Sequence, residues 1–316
     1  MKTVIAIVGP TAGGKTGLAI ALAKMMDGEI VSADSRQIYK RLDIGTAKPT
    51  PAERRQAVFH LIDFIEPDKE YSCGQFGRDA EPRIRIIMEK GKTPIVCGGT
   101  GLYVKALFEP LHPLPRSTRE TREKLSAEFK IRGLEFMYRR LQKADPDWAR
   151  KVKANDRQRI MRGLEIRELT GQTPTSLLDK PRPRARFRPR YFGIRWPRPR
   201  LYERIDRRFN RMIADGLVDE IKGILKMGYP AEAGALRTIG YRELIEYLQG
   251  KVSLAEAVDR AKKNTRNFAK RQMTWFGKVP GIEWLDGENN IENLTAQLLG
   301  VLAQDLAGTA KPRAGE

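Results

Sequence analysis

Residues 9–16 read GPTAGGKT, and no other stretch narrows the possible folds so far. The spacing G-x-x-x-x-G-K-[ST] has meaning only where a strand ends, a loop curls and a helix begins. That context is present. Val4–Val8 is a short apolar run suited to a strand buried on both faces, and Leu18, Ile20, Leu22 and Ala23 follow among good helix formers. Glycines let backbone N–H groups curl around phosphate oxygens, and a helix N-terminus adds its partial positive charge. Gly9, Pro10, Thr11, Ala12, Gly13 and Gly14 are therefore the candidate cradle. Lys15 brings a point charge to the terminal phosphate, and Thr16 offers a hydroxyl to a Mg²⁺ ion. The loop alone does not say whether the phosphate belongs to a nucleotide.

Further strands are expected at Ile30–Val31 and Thr93–Cys97. Alternating strands, loops and helices give the α/β class: a P-loop NTPase-like parallel sheet core flanked by helices. The character changes at the proline-punctuated Pro110–Thr118. From Glu120 to about Thr170 the pattern is helical and charged, and Lys180–Arg190 (KPRPRARFRPR) should be extended and exposed. Tyr191–Ile194 looks like a returning core strand, and from Leu201 the chain is helical again. The expected organisation is a catalytic core over 1–115 and 190–310, an inserted, mainly helical basic module over 116–189, and a flexible tail at 311–316.

Charge bears on what the insertion does. Of a net charge of +20, the stretch Arg116–Arg211 carries most, with 29 Lys/Arg against 12 Asp/Glu. Such a local excess is the electrostatic footprint of a polyanion partner, whereas charge kept for solubility would be spread. Two cysteines make no disulfide framework, and two histidines leave little for a nitrogen-rich metal site. No signal peptide and no apolar stretch of membrane-spanning length is apparent, so a cytoplasmic protein is expected.

Two loops could carry chemistry. Asp34 follows the second strand, at the carboxyl end of the sheet where open α/β folds bind ligands. It could ligate Mg²⁺ through water, act as a general base, or merely cap the next helix. Ser35, Arg36 and Gln37 beside it suit a base edge or a phosphate. Gly98–Leu107 follows the third strand; its glycines permit close approach to a ligand, and Thr100 can donate a hydroxyl. A tight strand-to-helix turn would explain the same glycines.

At this point the chain resembles the tRNA dimethylallyltransferase (tRNA isopentenyltransferase) family. GPTAGGKT, SADSRQIY, DIGTAKP, FHLIDF, GGTGLY, NDRQRIMRGLE, RTIGYRE and TRNFAKRQMTWF occur in the family's order between Gly9 and Phe276. The resemblance implies transfer of a dimethylallyl group from dimethylallyl diphosphate to N6 of the adenosine 3′ of the anticodon, with diphosphate released. It implies that residues 9–16 hold the diphosphate, that Asp34 takes the proton from the amine, and that Thr100 lies near the target nucleotide. An arginine of Leu201–Phe209 should reach the diphosphate; Arg207 is the first choice and Arg204 the second. The implied tRNA contacts are Ser35, Arg36, Gln37, Thr100, Arg122, Gln158, Arg159, Ile160, Met161, Arg162, Arg237 and Arg242. The implied partners are the anticodon stem-loop of tRNA and dimethylallyl diphosphate, with Mg²⁺ as cofactor and no membrane, for a protein expected to be monomeric. Eukaryotic relatives carry a C-terminal zinc finger; this chain shows none and looks like the bacterial type.

Three rivals remain to be weighed. A P-loop kinase would keep Lys15 and Thr16 but has no need of a basic insertion. An enzyme prenylating free adenine nucleotides needs no extended basic surface either. A non-catalytic RNA-binding protein would not need Asp34 beside a complete phosphate loop.

Overall fold

The computed structural model describes residues 1–309; the expected tail at 311–316 lies outside the described residues. The chain divides into two compact units, residues 1–109 with the chain from 185 onward, and residues 110–184.

The larger unit is built on six strands: β1 (Lys2–Val8), β2 (Gly28–Ser32), β3 (Phe59–His60), β4 (Thr93–Gly98), β5 (Phe187–Arg195) and β6 (Ile282–Asp286). They form one all-parallel sheet in the order β3-β2-β4-β1-β5-β6. The central strand shows why its sequence lacks polar alternation. Val4, Ala6 and Val8 share one cluster with Ile84 and Ile87 of α3 (Cys73–Glu89) and with Val104 and Leu107 of α4 (Gly101–Phe108). Ile5 and Ile7 share another with Leu18 and Leu22 of α1 (Lys15–Met25) and with Leu294 and Leu298 of α13 (Ile291–Thr309). Both faces are covered by helices, as a parallel sheet requires. The two edge strands are the ones the sequence did not reveal. β3 is only two residues long, and β6 is largely half-buried, so neither shows a clean apolar period. β5 starts at Phe187, and so takes in residues 187–189, which the sequence had grouped with the basic insertion.

A second layer of helices lies beyond the carboxyl ends of the strands: α9 (Arg198–Ala214), α10 (Leu217–Lys226), α11 (Tyr241–Leu248) and the long α12 (Leu254–Phe276). Ile38, Tyr39 and Leu42 pack into the same cluster as Phe209, Leu217, Ile221, Tyr241 and Leu244, which seats the segment after Asp34 on these helices. Polar groups fix it further. The Glu220 carboxylate accepts the N–H groups of Asp43 at 2.9 Å, Ile44 at 2.7 Å and Gly45 at 3.4 Å, together with the Tyr241 hydroxyl at 2.5 Å. Lys48, whose side chain is 1% exposed, pairs with Asp43 at 2.5 Å and Asp63 at 2.9 Å and donates to the Tyr39 carbonyl at 2.7 Å. A buried ammonium is tolerated only when its donors are used this fully. The short α2 (Pro51–Arg54) follows, closed by a Thr50–Glu53 capping box.

The smaller unit is helical: α5 (Arg119–Ala144), α6 (Pro146–Lys151), α7 (Arg157–Thr170) and α8 (Pro174–Leu178). Gly133, at φ 78° and ψ 173°, interrupts α5 and turns it into two helices. Leu125, Met137, Leu141, Ile160 and Leu164 form the core. Asp145, 3% exposed, ties the helices together. It accepts the Trp148 N–H at 2.9 Å at the start of α6, and the Thr175 N–H and hydroxyl of α8, each at 2.8 Å. Burial alone would raise its pKa, but these bonds hold it below the ordinary aspartate value.

Candidate functional site

A cavity of about 780 Å³ opens at the carboxyl ends of the strands. Its floor is the loop between β1 and α1. Gly9 (φ 138°) and Gly14 (φ 91°) adopt backbone conformations that side chains oppose, and Ala12 is held at φ 61°. α1 starts with no side-chain cap and no acidic residue in its first turn. Its first N–H groups are therefore left for an external anion. Lys15 lies in the wall, its Nζ donating to the Pro10 carbonyl at 2.7 Å. Burial pulls its pKa down to about 8, against the opposing pull of Cys97 and Asp34. Burial also pushes the neighbouring Cys97 thiol up to about 12, so it stays protonated.

α9 supplies the opposite wall. Arg204, Arg207, Arg208 and Arg211 all line the cavity. They are not equivalent. Arg208 donates to the Thr11 hydroxyl, and burial lowers its pKa to about 10 while the Asp34 charge acts the other way. Arg204 donates to the Ala12 carbonyl at 2.9 Å and stacks 4.0 Å above the Trp196 ring. Trp196 in turn donates to the Gly13 carbonyl at 3.0 Å. Arg207, the arginine favoured by the sequence, is exposed at the cavity's edge and makes no hydrogen bond to the loop. Arg208, which the sequence reading did not single out, is thus the arginine of α9 that reaches the Thr11 hydroxyl.

Asp34 lines the same cavity. No helix follows it, which removes the capping alternative; instead its Oδ1 accepts the Arg36 N–H at 2.8 Å across a tight turn. Thr100 pins that turn. Its Oγ1 accepts the Ser35 N–H at 3.0 Å and donates to the Ser35 hydroxyl at 3.3 Å, and its N–H donates to the Ala33 carbonyl at 3.2 Å. Gly98 explains the close approach, since a Cβ there would stand 2.2 Å from the Ala33 oxygen. Gln37 turns inward: its amide donates to the Ala47 carbonyl at 2.9 Å and its Oε1 accepts from Ser32 at 3.2 Å. Arg36 reaches the Gly234 carbonyl at 3.2 Å. Arg237 is exposed, and Arg242 is half-exposed and paired with Glu243 at 2.6 Å.

In the smaller unit, Gln158 and Arg159 stand exposed at the start of α7. Ile160 is a correction: it is fully buried in the unit's core, so it packs and offers no surface to RNA. Met161 is half-buried. Arg162 is committed to Glu165 at 3.2 Å and to the Pro115 carbonyl at 2.5 Å. Arg122 lies 4.0 Å from Glu165.

Comparison with known proteins adds an independent line. The family model described as "IPP transferase" matches residues 37–279, and one described as "Isopentenyl transferase" matches residues 2–60. The chain is 42% identical to the tRNA dimethylallyltransferase of Carboxydothermus hydrogenoformans, covering 94% of this chain and 96% of that protein. It is 45% identical to tRNA dimethylallyltransferase 1 of Pelobacter propionicus, with 90% and 93% covered. Among solved structures it matches the full-length tRNA isopentenylpyrophosphate transferase of Bacillus halodurans at a TM-score of 0.73 and 36% identity, with 98% of each chain covered. A eukaryotic dimethylallyltransferase caught acting on tRNA matches at a TM-score of 0.82 and 29% identity, with 100% of this chain and 82% of that one covered.

Proposed function

The chain belongs to the IPP transferase family, that of the tRNA dimethylallyltransferases, and from that premise we propose that it transfers the allylic group of dimethylallyl diphosphate to N6 of the adenosine 3′ of a tRNA anticodon. One observation carries the proposal. The uncapped α1 N-terminus, two inward cations and a carboxylate all face one cavity. An anion and a base-activated nucleophile are therefore served in the same space.

The chemistry follows from those groups. The C1–O bond of the donor breaks and its electron pair leaves with diphosphate. The loop N–H groups, Lys15 and Arg208 stabilise the charge that the leaving group gains. The N6–C1 bond forms as Asp34 takes the displaced proton, which offsets the poor nucleophilicity of an exocyclic amine. Thr100 holds the Asp34 turn in place beside the target nucleotide.

Thr16 is the second residue of α1 and lines the same cavity. Among the described residues no group of three or more His, Cys, Asp or Glu could hold a metal by itself. The Thr16 hydroxyl is the protein oxygen that would hold a Mg²⁺ arriving with the donor. When bound, the ion neutralises part of the diphosphate charge. The helical unit, residues 110–184, is assigned to RNA, with the exposed Gln158 and Arg159 as contacts on α7. Among the described residues no helix is long and apolar enough to cross a membrane. A monomer acting in the cytoplasm completes the reading.

The direct test incubates the protein and Mg²⁺ with radiolabelled dimethylallyl diphosphate and either total tRNA or AMP. Label should enter tRNA alone. Label entering only AMP would instead make it a nucleotide prenyltransferase.

A pH dependence should accompany donor binding. Lys15 attracts the diphosphate only while protonated, and in the free protein it loses its proton as pH rises through about 8. The bound anion raises that pKa, so binding takes up a proton above pH 8 and affinity falls with rising pH. Calorimetry with a non-reactive thio-linked donor analogue, in buffers of different ionisation heat, should show uptake approaching one proton at pH 9 and little at pH 6.5. Lys15→Met should bind weakly and lose this uptake; an unchanged proton count would remove Lys15 from the donor site.

A further inference from the structure

Gln272 lies in the cavity wall, yet it belongs neither to the phosphate loop nor to the Asp34 turn. It sits on α12, is 6% exposed, and spends both ends of its amide on backbone. Its Oε1 accepts the Thr11 N–H at 2.8 Å, and its Nε2 donates to the Gly99 carbonyl at 2.8 Å. The amide cannot flip without setting donor against donor and acceptor against acceptor, so its orientation is fixed.

The two partners matter because of what adjoins them. Thr11 is in the diphosphate cradle, and Arg208 holds its hydroxyl. Gly99 precedes Thr100, which grips the residues on either side of Asp34 through the Ser35 N–H and the Ala33 carbonyl. One side chain thus spans from the loop that binds the leaving group to the turn that carries the base. The glycines keep this bridge short. A Cβ on Gly99 would stand 2.3 Å from the Gln272 Nε2, and one on Gly101 would stand 2.2 Å from the Trp275 Nε1. Gln272 and Trp275 are three apart and share a helix face, so α12 beds that face directly on the glycine turn.

We propose that Gln272 is a positioning residue that sets the separation between the diphosphate cradle and Asp34. The inference rests on the reading that the cradle binds the donor and Asp34 takes the proton. Gln272 also neighbours Lys270 and Arg271 on a basic helix, but its burial and its two satisfied bonds set it apart from an RNA contact.

The test uses the full chain, dimethylallyl diphosphate, Mg²⁺ and tRNA. Gln272→Met keeps the side-chain length and removes both bonds; Gln272→Glu can still accept from Thr11 but sets an ionised oxygen against the Gly99 carbonyl. Both variants should slow single-turnover transfer, the Met form by roughly 10²-fold, since displacement by about an ångström costs that much. Affinity for tRNA should stay within about twofold of wild type. In an Asp34→Asn background Gln272→Met should cost far less, because a positioned group that is already gone has nothing to lose. A loss confined to tRNA affinity, an equal loss in both backgrounds, or no loss in a protein of unchanged Tm would each overturn the proposal. If the wild-type protein transfers no label to tRNA, it is the enzymatic reading itself that fails.

Discussion

Asp34→Asn should lower single-turnover transfer to tRNA by about 10²–10⁴-fold while leaving binding of both substrates nearly intact. The substitution is close to isosteric. An asparagine carbonyl can still accept the Arg36 N–H that Asp34 now takes at 2.8 Å, so the turn survives and only the basicity is lost. Asp34→Ala removes the turn as well, and should add a loss of stability to the loss of rate. A second readout separates a charge effect from a purely local one. The Asp34 carboxylate raises the pKa of Lys15, so in Asp34→Asn the proton uptake on donor binding should begin at lower pH than in wild type. Transfer by Asp34→Asn at more than about a tenth of the wild-type rate would leave proton removal to solvent or to the tRNA itself.

The sequence and the structure agree most closely where one physical requirement dominates. The loop between β1 and α1 could be read because its motif needs glycines at fixed positions between a strand and a helix, and Gly9 and Gly14 do adopt positive φ. The central strands could be read because burial on both faces leaves an unbroken apolar run. The edge strands β3 and β6 could not, since β3 has two residues and β6 is mostly half-buried, without an unbroken apolar run. Ile160 was misassigned because a motif resemblance covers a whole turn of helix, whereas only the outward half of that turn can meet RNA; the Ile160 side chain is in the core. Gln272 lies within the TRNFAKRQMTWF stretch, but nothing in that stretch marked it as a link between two loops. Its role depends on two backbone partners 261 and 173 residues away, and no spacing in the chain encodes that.

Arg208→Ala should reduce turnover by about 10²–10³-fold, the loss expected when one donor to a developing anion is removed, whereas Arg207→Ala should cost less than about tenfold. The contrast follows from the wheel of α9. Leu201, Ile205, Phe209 and Met212 form its buried stripe. At 3.6 residues per turn Arg208 falls about 55° from the centre of that stripe and Arg207 about 155° from it, so Arg208 points towards the core and Arg207 away. The hydrogen bond from Arg208 to Thr11 is consistent with this, and so is the exposure of Arg207. Arg204 lies between them in angle and is already occupied with the Ala12 carbonyl and the Trp196 ring, so Arg204→Ala should act through the shape of the loop and raise the KM for donor more than it lowers kcat. Arg208→Lys should recover little, because a lysine cannot hold the Thr11 hydroxyl and present a second donor to the phosphate in one plane. Steady-state rates at varied donor concentration, with tRNA affinity measured separately, distinguish these outcomes. If Arg207→Ala is the more damaged variant, α9 presents a different face to the diphosphate from the one its buried stripe dictates.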